Sequence, residues 1–229
     1  MTSLQKWGKS VRTTIPVMAG YLVLGAGFGI LLRTRGYGLG WALAMSAFIY
    51  AGSMQYVAID LLTGGASLLT TAVTTLLVNA RHLFYGISML ERYRAAGKYA
   101  PYLIFSLTDE TYSLVAARED LTGAECFRIS LLDQLYWLLG TALGSLAGAY
   151  LDFNTTGIDF SLTALFLTVF TEQWLETKDH APALIGLGVS IICRLLFGAD
   201  SFLLPTMGGM LCCLLVLDAR RTKKGGESV

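Results

Sequence analysis

The chain has little charge, few histidines and no cysteine pattern, and each shortage argues against a class of function. Only 14% of the 229 residues are charged and 54% are hydrophobic, whereas soluble domains carry about 25% charged residues. The formal net charge is +1 and no basic stripe is present, which argues against nucleic acid as a partner. The four cysteines show neither zinc-ligand spacing nor a secreted disulfide framework.

Catalysis is poorly supported as well. The two histidines are His82, in an apolar run, and His180, in a charged connector. An enzyme embedded in a membrane needs a nucleophile–base pair or a cluster of metal ligands, and the sequence offers neither. We therefore expect no catalytic residue, no cofactor and no metal, and an enzyme is the least favoured alternative.

Long apolar runs are what the chain has instead, and a spanning helix needs about 20 apolar residues. Eight runs are long enough to cross, or nearly cross, a bilayer: Ile15–Leu32, Trp41–Leu62, Ala66–Leu90, Tyr102–Ala117, Ile129–Leu151, Phe160–Leu175, Ala181–Gly198 and Phe202–Leu217. Several are short or interrupted. We expect an all-α, polytopic membrane bundle of seven or eight helices in one domain, residues 1–229, with polar tails at 1–12 and 218–229.

The first run is interpreted as a retained membrane helix. It is longer than the apolar region of a signal peptide, and Arg33 and Arg35 follow it where a signal peptide has a small-residue cleavage site.

Basic residues predict the orientation. They cluster before the first run, in one connector and after the last run: Lys6, Lys9 and Arg12; Arg92, Arg94 and Lys98; and Arg220, Arg221, Lys223 and Lys224. By the positive-inside rule, both termini are cytoplasmic. A plain count of eight spans puts the connector outside. The connector is cytoplasmic instead if Trp41–Leu62 and Phe160–Leu175 each enter and leave the membrane on the same side. The sequence leaves this alternative open.

Three short matches in the same order suggest that residues 15–90 are repeated as residues 129–198. The matched segments are Leu24–Gly29 with Leu139–Gly144, Met54–Tyr56 with Glu172–Trp174, and Ala80–Gly86 with Cys193–Gly198. Repeated halves, often of inverted topology and with broken helices at their interface, are typical of secondary transporters. Glycines four residues apart, at 25 and 29 and at 140, 144 and 148, predict close helix packing.

Polar groups inside the apolar runs are the candidate site. Asn79, Arg81 and His82 form one cluster, and such groups in a membrane helix normally face a cavity or a partner. Gly52, Ser53 and Gln55 mark a second segment, where a broken helix would expose backbone donors and acceptors. Packing and interhelical hydrogen bonds are the alternative role for both segments.

Carboxylates are required beside the arginine, because a buried unpaired charge is hard to sustain. Asp109 and Glu110 can supply the opposite charge in the first half, and we include them in the site. In the second half, Glu172 and Gln173 complete the predicted set of substrate-binding residues.

The run Asn79-x-Arg-His-x-x-Tyr-Gly86, preceded by Gly52–Tyr56 and followed by Thr108–Thr111, resembles the AzlC family, the large subunits of bacterial branched-chain amino-acid exporters. The resemblance extends from about Pro16 to Asp218. It implies a multi-pass protein of the bacterial inner membrane that exports leucine, isoleucine, valine or related small apolar amino acids. It also implies a small AzlD-type membrane subunit as partner. A channel or a non-transporting assembly subunit is the alternative.

Overall fold

The computed structural model describes residues 3–116, 118, 120–150, 160, 163–164, 167, 170–171, 174–175 and 178–225. The chain divides into two compact units, residues 1–163 and 164–229. The described helices of the first unit are α1 Ser3–Thr34, α2 Leu39–Phe48, α3 Gly52–Thr63, α4 Leu68–Val78, α5 Ala80–Ala95, α6 Ala100–Phe105, α7 Asp109–Ala116 and α8 Gly123–Tyr150, with a 3-10 turn at Gly97–Tyr99.

The second unit contains α9 Ala181–Ser201 and α10 Leu203–Gly225. Gly198 interrupts α9 with a φ of 74°, a value that glycine adopts without steric cost. The guanidinium of Arg194 lies 5.3 Å from the centre of the Phe202 ring. The expected helix Phe160–Leu175 falls largely outside the described residues.

Two helices, α1 and α8, form the core of the first unit and run in the same direction. Lys9 pairs with Glu125 at one end, with 3.7 Å between Nζ and Oε1, and Gly148 lies against Arg33 at the other. We name the end that holds Lys9 the basic end and the end that holds Arg33 the far end.

Glycines let these two backbones touch, as their spacing predicts. A Cβ placed on Gly25 would lie 2.9 Å from the carbonyl oxygen of Trp137, and one on Gly140 would lie 2.7 Å from that of Leu22. Gly29 and Gly144 meet the opposite backbone in the same reciprocal way. These pairs are the positions that the predicted repeat equates. The repeat itself stays a prediction, and the parallel direction of α1 and α8 favours repeats of one orientation over inverted ones.

The run Trp41–Leu62 is not one spanning helix but a hairpin, which we name hairpin 1. Its first arm, α2, follows the turn at the far end, and the carbonyl of Ala47 in its last turn accepts a hydrogen bond from Gln134. Tyr50, with φ 42°, and the extended Ala51 then reverse the chain. The Gln55 amide donates to Ser46 at 3.0 Å, although nine residues of continuous helix would separate them by about 13 Å.

The run Tyr102–Ala117 also forms a hairpin, hairpin 2, which enters from the basic end. Tyr102 on its first arm, α6, donates to Gln134 at 2.6 Å. The chain reverses at residues 106–108, and Thr111 on α7 donates to Asp133 at 2.8 Å. α7 then descends to the basic end, where Arg118 donates to Thr13.

Helices α4 and α5 cross the unit from the far end to the basic end with a break at Asn79. At the end of α5, Arg92 donates to the carbonyls of Val115 and Arg118, and Ala96 packs against Gly123. The connector with Arg92, Arg94 and Lys98 therefore lies at the same end as the N-terminus. This position of the connector requires that the run Trp41–Leu62 enters and leaves at the same end of the unit, as it does in hairpin 1.

Large apolar side chains lie on the surface and polar side chains lie inside, as expected of a protein surrounded by lipid. Leu68 is 90% exposed and Phe48 is 81% exposed, while Gln55 and Asp133 are fully buried. Among the described residues, Gln5–Thr34 and Ala181–Gly198 are unbroken helices with the length and apolar composition to cross a membrane. Exposed apolar faces of this extent mark contact with lipid or protein.

The glycine contact yields a stability prediction. Gly140→Ala places a methyl group against the α1 backbone, and we expect it to destabilise the protein by roughly 1–3 kcal/mol, the usual range for overpacking. Thermal unfolding of the full chain in detergent measures the change. Gly20→Ala is the matched control, because nothing lies within 4 Å of its Cβ position. Equal melting temperatures for the two variants would contradict the contact.

The hairpins yield a topology prediction. Single cysteines at Lys9 and Lys98 are expected to react alike with a membrane-impermeant maleimide, because both lie at the basic end. A cysteine at Arg35 is expected to show the opposite accessibility in the same intact cells. Labelling of Arg35→Cys and Lys98→Cys from the same side would show that hairpin 1 crosses the membrane.

Candidate functional site

The chain breaks of three helix pairs meet at one cavity in the first unit. The cavity has a volume of about 520 Å³. Its lining includes all three breaks, namely Ile49, Tyr50 and Ala51 from hairpin 1, Asn79 from the α4–α5 break, and Phe105 and Leu107 from hairpin 2. The Tyr50 and Phe105 rings lie 6.4 Å apart, which shows that the two hairpin tips are neighbours.

The walls of this cavity are mostly apolar. Leu83, Ile87 and Leu90 of α5 and Ile104 of α6 line it. These α5 residues recur at the spacing of one helical face, and Gly86 on that face adds no side chain. Such a surface suits an aliphatic side chain.

A few polar groups interrupt the apolar wall. The Asn79 side-chain oxygen and the Tyr93 hydroxyl are buried and have no hydrogen-bond partner among the described residues. His82 also lines the cavity, and its Nδ1 lies 3.3 Å from the backbone oxygen of Asn79. Buried polar groups normally have partners, so unsatisfied ones beside a cavity are candidates for binding a ligand.

Arg81 is neutralised as the sequence predicts, and Asp109 is the acid. Its Nη2 lies 3.0 Å from the carboxylate of Asp109 and donates to Ser53 Oγ at 2.7 Å. Both charged side chains are less than one third exposed. This ion pair joins α5 to hairpin 2 and, through Ser53, to the first turn of α3. It therefore holds the three breaks together.

Gln55 does not line the cavity. Its amide donates to Ser46 and accepts from the Trp137 indole at 2.9 Å, so both ends of the amide are used within the core. Ser46 in turn bonds to Thr141 at 2.9 Å. Gly52 lies against the Trp137 ring, where a Cβ would approach the ring to 3.1 Å. These two predicted residues support hairpin 1 from behind its tip.

Glu110, the residue after Asp109, accepts a hydrogen bond from Tyr21 at 2.8 Å. Tyr21, Thr111 and Asp133 form a second polar cluster with it, which the predicted set did not include. Asp133 is an acidic residue inside the apolar run Ile129–Leu151, and that position was the available signal. The predicted Glu172 and Gln173 lie outside the described residues.

Comparison with known proteins places the chain among membrane proteins. The family model "AzlC protein" matches residues 16–151. The branched-chain amino acid transport protein AzlC of Bacillus subtilis (strain 168) is 46% identical over 209 residues, which cover 89% of this chain and 82% of that protein.

Two other relatives are described as membrane proteins. An uncharacterized membrane protein of Helicobacter pylori (strain ATCC 700392 / 26695) is 42% identical and covers 89% of this chain and 91% of its own length. Inner membrane protein YgaZ of Escherichia coli (strain K12) is 26% identical over 90% of this chain and 87% of that protein. No solved structure matches the chain.

The ion pair yields a test of the site. Arg81→Ala leaves the partly buried Asp109 without its cation, and we expect a larger loss of folded protein and of melting temperature than Arg35→Ala causes at an exposed position. The double variant Arg81→Ala with Asp109→Ala is expected to lose less than the sum of the two single variants. A coupling free energy of about 0.5–3 kcal/mol is usual for contacting residues. Additive effects would contradict the pair.

Proposed function

The chain belongs to the AzlC family, and from this membership we propose that it transports branched-chain amino acids across the bacterial inner membrane. The observation that carries the proposal is the relative named a branched-chain amino acid transport protein, at 46% identity over nearly the whole chain. The name of the Escherichia coli relative, an inner membrane protein, supports the location. We infer that both termini are cytoplasmic, because basic residues gather before the first apolar run and after the last one.

The cavity between the hairpin tips is the substrate site in this proposal. Its volume lies within the usual range of ligand pockets, about 300–1,000 Å³. Leu83, Ile87 and Ile104 offer an apolar surface to the side chain of leucine, isoleucine or valine. Asn79 and His82 supply polar groups on the same wall.

The tip of hairpin 1 suits the zwitterionic end of the substrate. α2 ends and α3 begins at this tip, so carbonyl groups from one helix and N–H groups from the other lie close together. Ala51, the N-cap residue of α3, makes no side-chain capping bond, which leaves the first N–H groups of α3 for a carboxylate. The carbonyl end of α2 favours an ammonium group.

Export and the partner are the finer parts of the proposal. The family resemblance implies export of leucine, isoleucine or valine together with a small AzlD-type membrane subunit. Glu172 and Gln173 are proposed to complete the site from the second half. The exposed apolar faces of the first unit offer a surface for a membrane subunit as well as for lipid.

Efflux from cells tests the transport. Cells loaded with leucine- or valine-containing dipeptides are expected to lose the internal amino acid faster when they express the chain with its small subunit. His82→Ala and Asn79→Ala are expected to slow this efflux, because they remove polar groups of the cavity wall. Met89→Leu, a buried volume-conserving change away from the cavity lining, serves as the matched control.

The outcomes separate the alternatives. If expression changes neither the internal amino acid nor sensitivity to toxic analogues, branched-chain export is wrong. If efflux persists in the Asn79 and His82 variants, the function stands and the site is wrong. Labelled leucine that exchanges against unlabelled leucine in proteoliposomes indicates a carrier, whereas flux without such exchange indicates a channel.

A further inference from the structure

A continuous chain of hydrogen bonds joins two carboxyl groups inside the first unit. Glu110 accepts from the Tyr21 hydroxyl at 2.8 Å, and this hydroxyl lies 2.6 Å from Thr108 Oγ1. Thr108 Oγ1 lies 3.1 Å from Thr111 Oγ1, which lies 2.8 Å from the carboxylate of Asp133. We name this path from Glu110 to Asp133 the hydroxyl chain.

The hydrogens along this path do not suffice when both carboxyl groups are ionised. The path has four links, and its three hydroxyl groups supply three hydrogens. One additional hydrogen on either carboxyl group completes every link. With the hydrogen on Asp133 all hydroxyl groups point toward Glu110, and with the hydrogen on Glu110 all point toward Asp133.

The surroundings of Asp133 also favour one bound proton. Asp133 is fully buried, and its Oδ1 has no hydrogen-bond partner among the described residues. An ionised carboxylate that is buried with so few donors is costly, and such groups normally become neutral. The carboxylic acid form removes that cost and supplies the missing hydrogen.

The titratable groups other than Glu110 and Asp133 that face this path or belong to it come from five elements. Tyr50 of the hairpin 1 tip and Tyr102 of α6 lie near Asp133, and Tyr21 of α1 is itself part of the path. The charged groups near Glu110 are Asp109 of α7 and Arg81 of α5, which pair with each other. Because the ion pair is neutral overall, the net charge of the region is set by Glu110 and Asp133.

We propose that Glu110 and Asp133 share one exchangeable proton through the hydroxyl chain, and that binding and release of this proton is coupled to substrate movement. The proton-sharing part stands on the hydrogen bonds, and the coupling part rests on the proposed transport function. In each transfer one carboxylic acid gives up its hydrogen and the other carboxylate gains one. The three hydroxyl groups each pass one hydrogen along, so no charge is left on them.

Infrared spectroscopy of the purified full chain in detergent tests the proton without any substrate. At neutral pH we expect the C=O stretch of one buried carboxylic acid. Asp133→Asn and Glu110→Gln each supply amide hydrogens in place of the acid, so each is expected to abolish this band. Asp120→Asn, in an exposed connector, is the matched control and is expected to retain it. A band that is absent from the wild type, or that survives in both pair variants, would overturn the proposal.

Proteoliposomes test the coupling. In proteoliposomes that contain the chain together with its small subunit, we expect an imposed pH gradient to increase leucine accumulation in the wild type and in Asp120→Asn, and to have no effect in Asp133→Asn. Thr111→Val removes the hydroxyl that bonds to Asp133 at similar volume and is expected to lose the gradient response, whereas Thr111→Ser is expected to keep it. A gradient response in Thr111→Val equal to that of Thr111→Ser would overturn the hydroxyl chain even if the acidic variants do not fold.

The two measurements separate the two claims. If the wild type moves no leucine, the proposed function fails, and the infrared band alone decides whether the carboxyl groups share a proton. If leucine moves but the gradient has no effect in the wild type, the coupling is wrong while the transport stands.

Discussion

The approach of α1 and α8 to backbone contact is the constraint on which the first unit depends. Glycines at the crossing remove the side chains that would hold the two helices apart, so one rigid pair runs through the unit. Both hairpins are tied to this pair: Ser46 bonds to Thr141, and Thr111 bonds to Asp133. Hairpins that enter from opposite ends therefore meet at their tips, because each is bonded to the middle of the same two helices.

An apolar solvent explains why the polar groups collect where the helices break. A reversed chain inside a bilayer leaves N–H and C=O groups that lipid cannot satisfy, so such segments persist only when protein or a cavity surrounds them. Trp137 and Gln134 of α8 bond to hairpin 1, and Tyr21 of α1 bonds to hairpin 2. Side chains of α1 and α8 thus stabilise the breaks together with the Arg81–Asp109 pair.

Much of this arrangement is predictable from the sequence, because residues that are energetically unfavourable inside an apolar run stand out in it. An arginine in an apolar run requires an acid, and Asp109 is one of the two candidates in the first half, beside a carboxylate from the second half. Glycines four residues apart predict the helix contact, and Gly52 predicts a break. The sequence does not predict that the chain reverses at these breaks, because Gly, Ser and Gln at a break are compatible with a kinked helix as well as with a reversal. Only long-range bonds such as Ser46–Gln55 decide between them.

The sequence also does not predict which polar residues stabilise the core and which ones form the ion pair. Gln55 and Asp109 look alike as polar residues in apolar runs, yet the amide of Gln55 is used twice within the core and Asp109 reaches an arginine 28 positions away. Asp133 is as costly as Arg81 but lacks a neighbouring cluster that draws attention to it. Its partners Thr111 and Tyr21 come from other helices, so its role depends on tertiary structure.

Hairpin 2 places the cavity and the hydroxyl chain on one backbone segment. Leu107 lines the cavity, and its neighbour Thr108 stands in the middle of the hydroxyl chain. Hydroxyl hydrogen bonds have donor–acceptor distances of about 2.5–3.0 Å, so a displacement of this segment by about 1 Å separates Thr108 from Tyr21. In the proposed coupling, a substrate that moved Leu107 by that distance would interrupt the path between Glu110 and Asp133. A single peptide unit would therefore link occupation of the cavity to transfer of the proton in this proposal.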